Sequence, residues 1–482
     1  MEYIVKGRKP ESVFRFFEEI SAIPRGSYHE SGVADYLEAF AKERGLFCYR
    51  DKLNNVLIKA PATAGCENLP PILFQGHTDM VCEKNGGTEH DFLRDPLKLY
   101  TDGDLLRAKG TTLGADDGVA VAVMLSLLDG EIEKHPAYEC LFTASEEVGL
   151  DGAHGFDYVL LSARRMINMD SEKLGVVTCG CAGGIRSDLT LSAHTEPFVG
   201  SALRVSICGL MGGHSGENIN DGRANANKLM GRLLAALLPA CDARLISIAG
   251  GSKDNAIPRE CEALLAVPDA STATDILTGI AAEIAQELVA DDRGFTVTCE
   301  DVENEAVMFS REDTARVVSV LACVANGVQE MNHRAKGMVE FSRNLGVVRT
   351  ENDAVTFVFT SRSGMESRLD ASTRELDALA AVVGCKTRHY NRYPGWNFAP
   401  VSSVRDAYLA AYRAVTGSDA VVNVIHAGLE CGIIYSNIPD MDIISIGPTM
   451  YDIHSPTEAL DLSSFEIFWK TIEQLIRVWS ER

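Results

Sequence analysis

The chain has 482 residues, which is long for a single hydrophobic core, so two or more domains are expected. With 46% hydrophobic and 23% charged residues, it has the composition of an ordinary globular protein rather than a disordered or fibrous one. The formal net charge of -23 at pH 7 argues against nucleic acid and anionic membranes as partners, because both are polyanions.

The N-terminal stretch and the cysteines bear on the cellular compartment. The first residues contain no apolar core of about seven residues, as a signal peptide would. No run approaches the roughly 18 apolar residues of a membrane-spanning helix. Thirteen cysteines are scattered singly through apolar segments, apart from Cys179 and Cys181. This pattern favours thiols in a reducing compartment over a disulfide framework, so a cytoplasmic location is expected.

The chain opens with two predicted helices and continues into strands. Apolar residues recur at helical spacing over 12–20 and over 30–44, and the segment Ile23-Pro-Arg-Gly-Ser27 separates them. After a strand at 55–59, an apolar run over 72–74 predicts a buried strand that ends at a glycine.

That buried strand presents His77 and Asp79 at its end. Side chains two residues apart on a strand point the same way, so one can bind a metal while the other orients it. Taken alone, the pattern is more often a polar turn. A glycine-flanked acidic pair, Asp116 and Asp117, then opens a long apolar helix, where an ordinary helix cap would need only one acid.

The remaining strands end in the same residue types. Two of them end in Glu146-Glu147 and in Asp170, and the last leads into a loop that holds His454. Strands that alternate with helices predict a parallel α/β sheet, whose ligands gather at the carboxyl ends of the strands. The recurrence of acids and histidines at these ends therefore favours a functional site.

The middle of the chain predicts a separate α+β unit. It has a strand–helix–strand–strand pattern, and residues 245–258 are faintly echoed by 338–348, which indicates an internally duplicated βαββ unit. Glycine-rich Gly180–Gly184 and the segment Tyr393–Trp396 mark its ends.

We therefore expect an α/β fold with a mixed, largely parallel sheet flanked by helices. Residues 1–183 and 391–482 would form this catalytic domain, and residues 184–390 would form an inserted α+β lid domain.

Five residues form the pool of candidate metal ligands: His77, Asp116, Glu147, Asp170 and His454. Carboxylates and imidazoles without thiolates fit Zn²⁺, Mn²⁺ or Co²⁺ better than Ca²⁺ or Cu⁺. One catalytic zinc needs three protein ligands, whereas five suit two ions that share a carboxylate and a bridging hydroxide nucleophile. A neighbouring carboxylate is then needed to take the proton from water and return it to the leaving amine.

Eight motifs carry a resemblance to a known family: Gly76-His-Thr-Asp79, Thr112-Leu-Gly-Ala-Asp-Asp-Gly118, Ser145-Glu-Glu-Val-Gly149, Asn168-Met-Asp-Ser-Glu172, Gly212-Gly-His-Ser-Gly216, Tyr393-Pro-Gly-Trp396, His426-Ala-Gly-Leu-Glu-Cys-Gly432 and His454-Ser-Pro456. In this order, and essentially end to end, the chain resembles the aminoacyl-histidine dipeptidases (bacterial peptidase D, carnosinase-like). These belong to the dizinc metallopeptidase family that includes carboxypeptidase G, aminoacylase and peptidase T. The resemblance implies a zinc-peptidase-like catalytic domain with an inserted lid, and two divalent ions, Zn²⁺ first and Co²⁺ or Mn²⁺ as alternatives.

Carried over by position, the resemblance implies that His77, Asp116 and Asp170 hold one ion. Asp116, Glu147 and His454 would hold the other, so that Asp116 bridges the two. A non-proline cis peptide bond would follow Asp116.

The resemblance also implies roles beyond the ligands. Asp79 would orient a ligating histidine, and Glu146 would be the general base. In the lid, His214 would donate to the scissile carbonyl, while Asn255 and Arg362 would hold the terminal carboxylate of the substrate. Without the resemblance, a turn residue and a solvated charge are the commoner interpretations of His214 and Arg362.

The expected function is metal-dependent hydrolysis of dipeptides, preferentially Xaa-His types such as carnosine. Small peptides would be the substrates, and Glu430 either faces their free amine or belongs to a packing loop. The alternatives are an N-acyl amino acid deacylase and a broader di- or tripeptidase. A metal-binding protein without turnover would need the ligands but not Glu146. Monomer and homodimer stay open, as does whether His214 acts within its own chain or in trans.

Overall fold

A computed structural model of the chain describes residues 3–303, 307–333, 335 and 337–481. Backbone contacts divide it into two compact units. The first unit comprises the described residues up to Gly180, Phe398–Val424, and the described residues from Leu429 onward. The second unit comprises the described residues of Cys181–Asn397 together with Ile425–Gly428. That last segment lies within the predicted range 391–482, but its contacts are with the second unit.

Both units contain helices and strands. Up to Cys181 the elements are α1 (Glu11–Ser21), α2 (Ser31–Glu43), β1 (Phe47–Arg50), β2 (Val56–Ala60), β3 (Ile72–His77), β4 (Leu99–Asp102), β5 (Leu105–Ala108), α3 (Ala115–Leu128), β6 (Tyr138–Thr143), α4 (Asp151–Gly155), β7 (Arg165–Asn168) and β8 (Val176–Cys181). The middle of the chain contains β9 (Gly183–Ser192), β10 (Thr195–Pro197), β11 (Ser201–Cys208), β12 (Gly213–His214), α5 (Ala226–Ala240), β13 (Arg244–Gly250), β14 (Ala256–Ile257), β15 (Cys261–Val267), α6 (Ala270–Ala285), β16 (Thr296–Val302), β17 (Val307–Phe309), α7 (Arg311–Cys323), β18 (Gly327–Met331), β19 (Val339–Glu351), β20 (Ala354–Ser363), α8 (Glu366–Val383) and β21 (Lys386–Tyr393). The chain then continues through α9 (Ser403–Thr416), β22 (Val421–Ile425), α10 (Glu430–Asn437), β23 (Asp442–Ser445), β24 (Met450–Tyr451), β25 (Ala459–Asp461) and α11 (Leu462–Ser480).

The first unit is built on an eight-stranded mixed sheet in the order β1-β2-β6-β3-β7-β23-β8-β22. Its four central strands, β6, β3, β7 and β23, are parallel to one another. The pairs β1–β2, β2–β6 and β23–β8 are antiparallel. The predicted α/β class with a mixed sheet is confirmed, and its parallel part is the centre, where several strands end at one edge.

Helix α3 lies inside the first unit. Every one of its residues is buried, in a core to which α1, α2 and α11 also contribute. A helix that is apolar all round must be enclosed, as its sequence predicts. Its first turn, which carries Asp116, is therefore buried as well.

The second unit is internally duplicated. Its main sheet has the order β16-β11-β15-β13-β19-β20-β9-β21. One copy comprises β11, α5, β13, β15, α6 and β16, and the other comprises β9, α7, β19, β20, α8 and β21. Each copy places its strands in the order fourth, first, third, second from its outer edge, and the copies meet where β13 pairs antiparallel with β19.

The repeating unit is therefore βαββαβ, so the predicted βαββ unit was too short. In one copy the first strand, β9, precedes the whole of the other copy in the chain. The elements of that copy are therefore not consecutive, which makes the repeat hard to detect in the sequence. All four helices of the two copies contribute to one apolar core.

Candidate metal centre

The strands of the first unit bring the five predicted ligands together. His77 is the last residue of β3, Glu146-Glu147 follows β6, and Asp170 follows β7. Because β3 runs parallel to both β6 and β7, these residues emerge at one edge of the sheet. Asp116 lies in the first turn of α3, and His454 lies in the loop between β24 and β25.

Asp116 lies between two histidines. Its Oδ1 is 2.9 Å from Nε2 of His77, and its Oδ2 is 3.0 Å from Nε2 of His454. Oδ1 of Asp170 is 3.7 Å from Nε2 of His77, and Oε1 of Glu147 is 2.9 Å from Nε2 of His454. Each oxygen of the Asp116 carboxylate thus faces a different pair of predicted ligands.

Two groups of three residues share Asp116. One is His77, Asp116 and Asp170, and the other is Asp116, Glu147 and His454; within each, one ligand atom per residue lies within 4.8 Å of the others. A third such group, His77 with Glu146 and Glu147, overlaps both. With only nitrogen and carboxylate oxygen donors and one shared carboxylate, these residues fit two divalent ions of the Zn²⁺, Co²⁺ or Mn²⁺ type.

Asp79 is fully buried and connects His77 to the loop after β6. Nδ1 of His77 is 3.2 Å from the carbonyl oxygen of Asp79 and 3.4 Å from its Oδ1. The backbone N–H groups of Glu146 and Glu147 donate to the same carboxylate, at 3.0 and 3.3 Å. Burial acts to raise the pKa of Asp79, but the hydrogen bonds from His77, Ser27 and Glu146 outweigh it and lower the pKa below its usual value.

The pKa values of the Glu146 and Asp116 carboxyl groups are shifted in opposite directions. Burial raises the pKa of the Glu146 carboxyl well above its usual value; His77 opposes this, while the negative charges around it, including Asp170, reinforce it. Burial would also raise the pKa of Asp116, yet hydrogen bonds from His454 and His77 lower it instead. A carboxyl group with a raised pKa holds a proton more readily, as a general base requires, and one with a lowered pKa stays charged, as a metal ligand requires.

Asp117, the residue after Asp116, accepts hydrogen bonds from backbone N–H groups. The peptide bond between Asp116 and Asp117 is cis, as the resemblance implies. Oδ2 of Asp117 accepts the N–H of His77 at 3.2 Å, and Oδ1 accepts the N–H of Ala120 at 3.3 Å. Asp117 therefore caps the start of α3 and ties it to the end of β3.

Two residues outside the predicted set support the loops of the site. The hydroxyl of Ser27 donates to Oδ2 of Asp79 at 2.7 Å. Glu30 accepts the N–H and the hydroxyl of Ser145 at 2.9 and 2.6 Å. The only sequence signal for them is the cluster of polar residues in the break between the two N-terminal helices.

Glu430 belongs to the first unit, at the first turn of α10, and is fully buried. Its Oε2 accepts hydrogen bonds from Nε2 of Gln75 at 2.6 Å and from the hydroxyl of Thr143 at 2.7 Å. Gln75 in turn accepts from Nδ2 of Asn168 at 2.8 Å. Burial raises the pKa of Glu430 to about 7.

The predicted lid residues lie in the second unit. His214 on β12 pairs with Ala256, next to Asn255. Nδ1 of His214 accepts the N–H of Glu217 at 3.3 Å, so its neutral ring carries the proton on Nε2. Burial, helped by the charge of Arg362, lowers the pKa of His214. Arg362 near the end of β20 is buried and donates to the hydroxyl of Tyr393 at 2.6 Å.

His426 in the second unit was not among the predicted site residues. Its Nε2 is 2.8 Å from the hydroxyl of Ser342, which lies opposite Arg362 across the β19–β20 pair. Burial, with the charges of Arg362 and His214, lowers the pKa of His426 to about 3. The sequence signal was present, because His426 opens one of the eight motifs.

Among the residues that the structure describes, no helix has the length and apolar character needed to cross a membrane.

Comparison with known proteins places the chain in a family. Residues 205–292 match the family model M20_dimer, described as a peptidase dimerisation domain. The chain is 38% identical over 474 residues to the cytosol non-specific dipeptidase of Escherichia coli (strain K12), covering 97% of each protein. The structure of aminoacylhistidine dipeptidase from Vibrio alginolyticus matches with a TM-score of 0.93 at 36% identity, covering 98% of this chain and 97% of that one.

A more distant structure shares the fold alone. The aminopeptidase PepT from Bacillus cereus matches with a TM-score of 0.57 at 14% identity, covering 98% of this chain and all (100%) of that one. The near-complete coverage by a relative at 38% identity, together with the shared fold, establishes that the chain belongs to the M20 family of metallodipeptidases.

Proposed function

We propose that the protein hydrolyses dipeptides, preferentially Xaa-His dipeptides such as carnosine, at a centre that holds two divalent ions. The observation that carries this proposal is the position of Asp116, whose two carboxylate oxygens face His77 and His454 separately. The preference for a C-terminal histidine is supported by the relative named aminoacylhistidine dipeptidase. The name of the Escherichia coli relative, a non-specific dipeptidase, supports the broader alternative.

The five ligands would hold Zn²⁺, with Co²⁺ or Mn²⁺ as alternatives. Two such ions, when bound, supply Lewis acidity at the scissile carbonyl and lower the pKa of the attacking water. Glu146 accepts the proton of that water on its carboxylate and returns it to the nitrogen of the leaving amine. Asp79 orients His77 through Nδ1 and holds the backbone of Glu146, so it positions both a ligand and the base.

Residues of the second unit would bind the substrate. His214 donates from Nε2 to the scissile carbonyl oxygen, as its tautomer allows, and stabilises the charge that develops there. Arg362 and Asn255 bind the terminal carboxylate, for which the planar guanidinium of arginine is suited. For Glu430, full burial and two donors from the sheet favour the packing interpretation over contact with the substrate amine.

The duplication within the second unit is relevant to the oligomeric state of the protein. One copy contains the match to a peptidase dimerisation domain, so a homodimer is one candidate state. The second copy can take the place of a partner's domain within the same chain, and we propose that His214 acts in its own chain. The name of the Escherichia coli relative supports a cytoplasmic location.

Hydrolysis of four substrates tests the function: β-alanyl-histidine, glycyl-histidine, dialanine and an N-acetyl amino acid. We expect purified protein to cleave the histidine dipeptides, to lose activity after chelation, and to regain it with Zn²⁺, Co²⁺ or Mn²⁺. Cleavage of the N-acetyl amino acid instead would make the protein a deacylase, with the same metal-dependent mechanism but a different substrate. Turnover that chelation leaves unchanged on every substrate would exclude the metal-dependent mechanism.

Replacement of His214 by Ala is expected to lower kcat roughly 100- to 1,000-fold, because the oxyanion loses a preorganised donor. KM should change little, since the donor acts on charge that appears during the reaction. The control is His194→Gln, a histidine of the second unit whose side chain is 87% exposed. An unchanged kcat in the His214 variant would remove this residue from the mechanism.

A further inference from the structure

The two glycines that flank the acidic pair face a buried arginine. A Cβ atom on Gly114 would lie 2.5 Å from Nη2 of Arg25, and a Cβ atom on Gly118 would lie 2.8 Å from the same atom. Both distances are shorter than real Cβ contacts. Gly114 also has φ of +66°, which disfavours other residues independently. The spacing of these glycines around Asp116 therefore leaves room for one guanidinium group.

Arg25 connects the chain segment after His77 to the segment before Asp116. It is only 2% exposed. Its Nη1 donates to the carbonyl oxygens of Thr78 and Asp79 at 3.0 and 3.1 Å, just after His77. Its Nη2 donates to the carbonyl oxygen of Gly114, two residues before Asp116. One side chain thus holds the end of β3 against the start of α3.

Glu458 holds the same loop through its N–H groups. This carboxylate is also 2% exposed. Its Oε2 accepts the N–H groups of Leu113 and Gly114 at 2.7 and 3.0 Å, and its Oε1 accepts the N–H of Ala115 at 2.8 Å. The carbonyl of Gly114 therefore binds a cation while its N–H binds an anion.

We propose that Arg25 and Glu458, here called the Arg25–Glu458 clamp, are positioning residues for the metal centre. By fixing the loop over residues 113–115, the clamp sets where the Asp116 carboxylate lies relative to His77 and His454. Because Asp116 is shared by both groups of ligands, a small displacement of it weakens both ion sites. The proposal rests on the proposed function only in that the centre binds ions.

The test compares Arg25→Lys and Glu458→Gln with the unsubstituted full-length protein. Lysine keeps the charge but lacks the planar fork that reaches three carbonyl oxygens. Glutamine replaces one accepting oxygen by an NH₂ group, which faces a backbone N–H. The matched control is Arg343→Lys, an equally buried arginine (2% exposed) of the second unit that donates to Ser372 and Glu375.

Two readouts separate positioning from general stability: Zn²⁺ affinity by competition with a chelator, and the visible absorption spectrum of the Co²⁺-loaded protein. We expect both clamp variants to bind Zn²⁺ about 10- to 100-fold more weakly and to change the Co²⁺ spectrum. The control should lose thermal stability without either change. If the clamp variants keep their Zn²⁺ affinity and their Co²⁺ spectrum, Arg25 and Glu458 contribute to packing and do not position the metal centre.

A second variant covers the case in which Arg25→Lys does not fold. Gly118→Ala keeps both charges and displaces Nη2 of Arg25, so it should also weaken Zn²⁺ binding and alter the Co²⁺ spectrum. Unchanged binding in that variant would overturn the proposal. Absence of peptide turnover in unsubstituted protein that binds two ions would overturn the proposed function and leave this test intact.

Discussion

Glu146→Gln is expected to lower kcat for dipeptide hydrolysis roughly 100- to 10,000-fold while both ions stay bound. Glutamine is nearly isosteric with glutamate but cannot accept the proton of the attacking water. Glu146 belongs to neither ligand group that contains Asp116, so metal content should persist. Steady-state kinetics on β-alanyl-histidine, together with elemental analysis of the protein, measures both effects.

The control for this variant is Glu131→Gln, an exposed glutamate of the first unit. It should match the unsubstituted protein in kcat and metal content. A Glu146 variant with full activity would exclude this residue as the base. The same experiment separates an enzyme from a metal-dependent binding protein, which would keep its function in the variant.

Asp116→Asn is expected to abolish stable binding of both ions and to reduce activity to background. Its two oxygens lie 2.9 and 3.0 Å from Nε2 of His77 and of His454, so each ion would lose a charged ligand at once. No other residue belongs to both of those ligand groups. Metal stoichiometry after gel filtration, measured by elemental analysis, should fall below one ion per chain.

The neighbouring substitution Asp117→Asn is the matched control. Asp117 accepts the backbone N–H groups of His77 and Ala120, so this variant should lose some stability and keep both ions. Normal metal stoichiometry in the Asp116 variant would show that the two groups of ligands do not share this carboxylate.

The fold and the ligand types were largely predictable because their signals are local. The central strands β3, β6 and β7 are short apolar runs, and a histidine or an acid stands at the end of each or within a few residues of it. Parallel strands bring their carboxyl ends to one edge, so a linear pattern sufficed to predict that His77, Glu147 and Asp170 gather. The family membership was also predicted, and the comparisons confirm it. That prediction depended on the order of eight motifs along the chain, which no single motif shows.

The repeat in the second unit was only partly predictable, for a topological reason. A repeat is visible in a sequence when its parts follow one another. Here β9 is separated from α7 of its own copy by the entire other copy. The predicted βαββ unit covers the first four elements of the repeat, and the helix and strand that complete it were not predicted. The last strand of each copy pairs with the first strand of that copy, which is distant in the chain.

The residue types and the order of the five predicted ligands, and the strand-end positions of His77, Glu147 and Asp170, could be derived from the sequence, since they depend on patterns over a few residues. The chemistry of Arg25 and Glu458 could not, because an isolated charge in a sequence looks like a solvated one. Glu458 lies 345 residues from Leu113, and only the folded chain brings its carboxylate to that loop. Burial then requires each charge to find hydrogen-bond partners, and in this protein those partners are peptide groups close to the predicted ligands His77 and Asp116.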